Sequence, residues 1–193
     1  MSDFTSDILK QFDPASIAAI AGQLGLDPAQ AQAAIAQAVP VVVGGLARNA
    51  STDAGASALR NALDDHAGGD LGSVLGSVLG GGGQGGAILG HIFGNRQQQA
   101  AQQIGTSSGI GSANAGALMA MLAPLIMGML GKRTQSQGMD ADGLGSMLGR
   151  ELQGLGRGAQ GSLLGAVFDQ DGDGQFGLSD VLKLGSQFLG GRR

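Results

Sequence analysis

The sequence predicts an all-α fold, in which two related helical hairpins pack together and an EF-hand-like helix-loop-helix segment follows them. Three observations predict it: aspartate-proline pairs at helix starts, apolar residues at helical spacing, and a pattern that occurs twice. Asp13-Pro14 and Asp27-Pro28 are helix starts, because aspartate caps the first amides and proline is tolerated at the first helical position.

The first helices follow from these starts. Ile17, Ile20 and Leu24 recur at helical spacing, and Gly25 ends that helix. In the next helix, Pro40 either introduces a kink or starts a new helix. A cap at residues 51–53 then predicts another helix, and the residues of that helix that we expect to face inward are Leu59 and Leu63.

One pattern occurs twice, 84 residues apart. Residues 40–48 and 124–132 share a proline, three apolar residues, a glycine, any residue, a leucine, a small residue and a base. The stretch VPVVV alone is compatible with a strand, but its counterpart APLIM is not rich in β-formers, so both are predicted to be helical. The pattern favours a repeat with a pseudo-twofold arrangement. Chance similarity in an Ala-, Gly- and Leu-rich chain is the alternative.

Composition limits the classes of function. The chain has 193 residues, 38 of them glycine, and lacks cysteine, tryptophan and tyrosine. Without cysteine there is no disulfide, thiol nucleophile or thiolate metal ligand. The net charge is -4 and lysines and arginines are scattered, so nucleic-acid binding is not expected. We divide the chain into a helical core, 1–155, with a glycine-rich loop at 80–86, and a calcium-binding segment, 156–193.

The cytoplasm is the expected location, with export by another route left open. The first twelve residues lack a basic region, a long apolar stretch and a cleavage site, so no signal peptide is predicted. The most apolar run, residues 117–130, is shorter than the roughly 20 residues of a spanning helix and contains Pro124. A buried core helix is the preferred interpretation, and membrane association stays open.

Residues 169–180, DQDGDGQFGLSD, have the spacing of an EF-hand calcium loop. Acidic side chains stand at loop positions 1, 3, 5 and 12, and Gly174 at position 6 permits the sharp turn. Ca²⁺ takes six to eight oxygen ligands, and alternate residues of a tight loop can point inward together. The predicted calcium ligands are Asp169, Asp171, Asp173, Asp180 and the backbone carbonyl of Gln175.

Apolar faces on both sides of this loop predict an incoming and an outgoing helix. Position 12 holds Asp180 where glutamate is usual, and its shorter side chain predicts weaker calcium binding or more tolerance of Mg²⁺. The loop also resembles a dockerin half-repeat. Dockerins carry two such loops and this chain has one, so no cohesin partner is implied. A solvated acidic turn is the alternative interpretation.

Two other patterns resemble catalytic or metal sites. Residues 105–109 fit G-x-S-x-G, but a nucleophile elbow needs a preceding strand and here a polar Gln/Ala helix precedes it. His66 has Asp64, Asp65 and Asp70 nearby, yet no second histidine is close in sequence. We interpret these side chains as a helix end, and we expect no catalytic residues.

The stretch QLGLDPAQAQAAIAQAVPVVVGGLARNAS, followed later by GGAILGHIFG, MLAPLIMGMLG and GLGSMLGREL, resembles the YidB-like bacterial proteins of unknown function. The resemblance covers about residues 14–155. It implies an all-helical fold, for which a homeodomain-like arrangement has been proposed, and it brings no catalytic residues. The calcium loop lies outside it.

The preferred function is that of a non-catalytic, calcium-binding interaction or self-assembly protein, forming a homo-oligomer or filament or binding an unknown protein partner. Gly72, Gly76 and Gly80 fall on one helical face and suit close helix contact. The alternatives are a DNA-binding module with homeodomain-like helices and a membrane- or envelope-associated protein.

Overall fold

A computed structural model of the chain describes residues 3–66, 76, 84–157 and 161–168. Within these residues the chain forms nine α-helices and no strand, so the all-α prediction is confirmed. The helices are α1 Asp3–Lys10, α2 Pro14–Leu24, α3 Pro28–Asn49, α4 Asp53–His66, α5 Gly85–Phe93, α6 Gln97–Ser108, α7 Gly111–Ser136, α8 Ala141–Gly156 and α9 Gly161–Phe168.

Local side-chain chemistry sets several helix ends as expected. The Ser16 backbone N–H donates to Asp13 Oδ1 at 2.7 Å, and Gly25 ends α2 with φ of 65°. Of the three candidate caps before α4, Thr52 accepts a hydrogen bond from the Gly55 backbone N–H at 3.1 Å. These contacts satisfy amides and carbonyls that a helix leaves unpaired at its ends.

Both long helices continue through an internal proline. Pro40 lies inside α3 and Pro124 inside α7, so neither proline starts a new helix. The valine-rich stretch of α3 is helical and buried, as is its counterpart in α7. Tertiary burial of both segments outweighs the β preference of valine and the lost backbone hydrogen bond at proline.

The helices of the two halves interleave in the core. Helix α3 packs against α8, α7 packs against α4, and α3 and α7 contact each other at the centre. Helix α2 covers α3 in the same way that α6 covers α7. The long central helix of each half therefore packs against the last helix of the other half: α3 against α8, and α7 against α4.

The two halves correspond closely in helix position and burial. Helices α5, α6 and α7 begin close to 84 residues after α1, α2 and α3, and α8 corresponds to α4 with a five-residue longer linker. The buried residues Phe4 and Ile8 have the buried counterparts Ile88 and Ile92. Both α2 and α6 end at a glycine with positive φ. These correspondences support the repeat and extend it to α1, α2, α5 and α6.

Helix α9, the predicted incoming helix of the calcium loop, packs against α3, α6 and α8. Its side chains Leu164 and Val167 are buried in the same hydrophobic core as the other helices. The predicted domain boundary at residue 155 stays a prediction. Residues 80–83 of the predicted glycine-rich loop at 80–86 lie outside the described residues, whereas Gly85 and Gly86 form the start of α5.

Candidate functional site

The predicted calcium ligands lie outside the described residues: Asp169, Asp171, Asp173, Gln175 and Asp180. The structure describes α9 up to Phe168, the residue immediately before loop position 1, so a helix leads into the loop as an EF-hand requires. All donors in the set are oxygens, four of them side-chain carboxylates, which fits the preference of Ca²⁺. Among the described residues, no group of three or more metal-ligating side chains is brought together.

The serine of the G-x-S-x-G pattern lies in the last turn of a helix. The Ser107 hydroxyl is within hydrogen-bonding distance of the Gln103 carbonyl, at 2.8 Å, and also contacts the Gln37 side chain. A helix precedes this serine, whereas a nucleophile elbow requires a strand. Near His66, Asp64 pairs with Arg60 of the same helix. The serine pattern therefore lacks the strand of a nucleophile elbow. The side chains of Asp65 and His66, and the whole of Asp70, lie outside the described part of the chain.

The described part of the chain contains an apolar cleft of about 590 Å³ between α4 and α5. The C-terminal end of α3 and Met127 of α7 also line it. Its lining residues are Leu46, Asn49, Gly55, Ala58, Leu59, Ala62, Gln84, Ala87, Ile88, His91, Ile92 and Met127. This volume is within the range of about 300–1,000 Å³ that is typical of ligand sites. We name it the α4–α5 cleft.

Small residues line the α4 wall of this cleft. Gly55, Ala58 and Ala62 face the space at successive turns of α4. The repeat places Leu144, Met147 and Glu151 at the corresponding positions of α8. Helix α8 therefore carries larger side chains than α4 at the positions that correspond to this wall of the cleft.

The corresponding region of the other half is closed by direct contacts between α1 and α8. The buried Glu151 carboxylate accepts hydrogen bonds from the Thr5 backbone N–H at 2.7 Å and from the Thr5 hydroxyl at 2.6 Å. Arg133 lies 5.5 Å from the centre of the Phe4 ring and pairs with Asp7 at 3.2 Å. These contacts anchor α1, and only a shallow depression of about 450 Å³ is left beside them.

The α4–α5 cleft has a polar rim at its α3 end. The Asn49 side-chain amide donates to the His91 backbone carbonyl at 3.0 Å and so joins the end of α3 to α5. On another face of α3, burial lowers the pKa of Arg48, and the positive charge of Arg96 lowers it further. No sequence pattern indicated this cleft, because alanines and glycines are frequent everywhere in the chain.

Two of the described helices, α3 and α7, are long and apolar enough to cross a membrane by length and composition. In each, 67% of the most apolar 18-residue window is buried inside the fold. Core helices of soluble proteins pass the same test, so the two helices are weak evidence for membrane insertion.

Residues 6–133 match the model of DUF937, a family described as bacterial proteins of unknown function. The match covers more than half of the chain. The chain belongs to the DUF937 family. No curated protein and no solved structure matches the chain significantly.

The DUF937 match agrees with the expectation of a helical bacterial protein of unknown function. It begins within α1 and ends within α7, so it includes the α5 wall of the cleft and most of the repeat. Helices α8 and α9 and the predicted calcium loop lie beyond the DUF937 match.

Proposed function

We propose that this DUF937 protein is a non-catalytic, calcium-binding helical protein that serves as an interaction or self-assembly module. The observation that carries the proposal is the spacing of carboxylates at loop positions 1, 3, 5 and 12, with glycine at position 6. Helix α9, which ends at Phe168 directly before the loop, supports it.

In this proposal, each loop residue has a defined role. Asp169, Asp171 and Asp173 direct carboxylates inward, Gly174 makes the turn, and Asp180 closes the site. Without a cation, four carboxylates in one short loop repel each other. When bound, the calcium ion supplies the positive charge that offsets this repulsion and fixes the loop between its two helices.

A non-catalytic role is consistent with the described residues. The Ser107 hydroxyl contacts carbonyls of its own helix, and the repeat positions are occupied mainly by packing residues. DNA binding is less well supported, since the chain is acidic and its basic residues are scattered. The cytoplasm is the proposed location, and burial of α3 and α7 in the core gives no support to a membrane-spanning role.

Self-association is part of the proposal. A single EF-hand lacks the second loop with which such hands usually pair. The apolar side chains of α9 are buried in the core of the chain, so it is the apolar residues of the predicted outgoing helix that need a partner surface. A homo-oligomer, or a filament if the contacts are heterologous, provides one.

Isothermal titration of the full chain with CaCl₂ tests the calcium site. We expect one calcium ion per chain in the unmodified protein and no measurable binding in the Asp169→Ala, Asp173→Ala double variant. Asp142→Ala is the matched control, because Asp142 is an exposed aspartate in the first turn of α8 and outside the loop. Absence of calcium heat in the unmodified chain, or unchanged heat in the double variant, refutes the calcium site.

A further inference from the structure

We propose that the helical core of this chain is the partner surface for the incoming helix of the lone EF-hand. In this inference, α9 must pack on α3, α6 and α8 for the loop to bind calcium, and bound calcium stabilises the core in return. The inference rests on the proposed calcium site. It adds the surface on which that site depends and the way in which calcium acts on the rest of the fold.

Helix α9 is too short to be stable by itself. It has eight residues, GSLLGAVF, and two of them are glycines. An isolated helix of fewer than about 12–15 residues is marginal in water, and glycine lowers helix stability further. An EF-hand needs this helix, because the helix fixes the direction in which the chain enters loop position 1 at Asp169. The geometry of the predicted site therefore depends on whatever holds α9 in its helical form.

Packing on the core holds α9. Leu164 is fully buried and Val167 is 1% exposed, and both belong to the main hydrophobic core. The helix contacts α3, α6 and α8, of which α3 and α6 lie within the DUF937 match. At its start, a Cβ atom on Gly161 would lie 2.4 Å from the Gly156 carbonyl oxygen, so α9 begins in close contact with the end of α8. The predicted loop thus follows a helix that is anchored in the family fold.

Charge makes this packing sensitive to calcium. The C-terminal end of a helix carries partial negative charge, and Asp169 directly follows the last residue of α9. The last turn of α9 has no basic residue to offset the repulsion between this end and the loop carboxylates. Calcium supplies positive charge there and so favours the helical, packed form of α9. Coupling free energies are reciprocal, so a change that weakens the packing of α9 also weakens calcium binding.

Thermal unfolding of the full chain, followed by far-ultraviolet circular dichroism, tests whether calcium stabilises the core. In CaCl₂ at about a hundred times the Kd, we expect the melting temperature to exceed that in chelator by about 5–10 °C. A rise caused by self-association alone depends on protein concentration, so the shift is measured at two concentrations about tenfold apart. Equal shifts support the inference. No shift, or a shift that disappears at the lower concentration, overturns it.

The double variant Leu164→Ala, Val167→Ala tests the coupling from the side of the core. It removes the buried side chains of α9 and leaves every loop residue in place. We expect isothermal titration to show calcium binding weakened at least about tenfold, because only chains with packed α9 bind. Leu163→Ala on the same helix is the matched control, since Leu163 is only partly buried, and its affinity should stay close to that of the unmodified chain. Unchanged affinity in the double variant overturns the inference.

Gly161→Ala disturbs the packing of α9 while keeping both buried side chains. Its Cβ atom would meet the backbone of α8, whereas Ser162→Ala makes a neighbouring substitution at an exposed position. Alanine is the better helix former, so weaker calcium binding in Gly161→Ala reports lost packing and not lost helix propensity. We expect this loss in Gly161→Ala only, and equal affinity in the two variants overturns the inference. This pair decides the matter if circular dichroism shows that the double variant does not fold.

The outcomes separate this inference from the proposed function. Absence of calcium heat in the unmodified chain overturns the calcium site and this inference together. Calcium heat without a rise in melting temperature overturns only the coupling to the core, and the calcium site stands.

Discussion

The Glu151 carboxylate of α8 accepts two hydrogen bonds from Thr5 of α1, one from its backbone N–H and one from its hydroxyl. Both residues are buried, and they are separated by nearly the whole described chain. A charge-assisted pair of this kind is stronger than hydrogen bonds between neutral groups, and it fixes the first helix to the second half of the fold.

Glu151→Ala is expected to destabilise the protein by about 2–3 kcal/mol. The substitution removes the acceptor and leaves the buried Thr5 N–H and hydroxyl without it. Urea unfolding followed by far-ultraviolet circular dichroism measures the change, which suits a chain without tryptophan or tyrosine.

Glu151→Gln separates the acceptor from its charge. Glutamine keeps one oxygen at nearly the same position, so we expect a smaller loss than with alanine. Equal losses in the two variants would mean that the negative charge of Glu151, and not the acceptor geometry, anchors α1.

Gly85 and Gly90 of α5 form a matched pair for testing the contact between α5 and α7. A Cβ atom at Gly85 would lie 1.8 Å from the Ala120 carbonyl oxygen, whereas a Cβ atom at Gly90 meets nothing within 4 Å. Gly85→Ala should therefore lower the free energy of unfolding by about 1–3 kcal/mol. Gly90→Ala should raise it by up to about 1 kcal/mol through helix propensity.

Both glycine variants are measured by thermal unfolding under the same conditions. A Gly85→Ala protein as stable as the unmodified chain would contradict the close approach of α5 to α7. A loss of stability at Gly90 would show that this face of α5 is covered by something other than solvent.

Asp13 is expected to make stability depend on acid pH. The hydrogen bond from the Ser16 backbone N–H, and then the one from its side chain, lower the pKa of Asp13 in the folded state. The unfolded chain keeps a pKa of about 3.9. The aspartate therefore stabilises the fold above that pH, and its contribution is lost as the pH falls through the lower, folded-state pKa.

Asp13→Asn is the control for this titration, because asparagine also caps helices and does not ionise. We expect the melting temperature of the unmodified chain to exceed that of the variant at pH 7 and the difference to shrink towards pH 2. A difference that is constant over this range would mean that ionisation of Asp13 contributes nothing to stability.

Asp180→Glu is expected to tighten calcium binding about tenfold, because glutamate restores the longer side chain that closes EF-hand loops with two oxygens. Isothermal titration of both proteins measures the ratio, and Asp142→Glu serves as the matched control outside the loop. Unchanged affinity in Asp180→Glu would remove Asp180 from the set of ligands, whereas weaker affinity would show that the loop closes on the shorter carboxylate.

The sequence alone determined the local structure. Asp13 and Gly25 delimit α2 because capping depends on neighbouring atoms, and apolar spacing at Ile17, Ile20 and Leu24 follows from helical geometry. The matching patterns around Pro40 and Pro124 also indicated related helices before any packing was known. The predicted calcium loop is likewise a local pattern, since all its predicted ligands lie within twelve residues.

Only the tertiary structure decided how the halves combine and where the cleft lies. The packing of α3 on α8 and α7 on α4, and the Thr5–Glu151 contact, join residues that are far apart in the chain. Ala58 and Ala62 look like any other alanines of an alanine-rich helix. They line a cleft because Ile88 of α5 lies across an open space from them. In the other half of the fold, the larger side chains of Met147 and Glu151 are buried at the corresponding positions of α8.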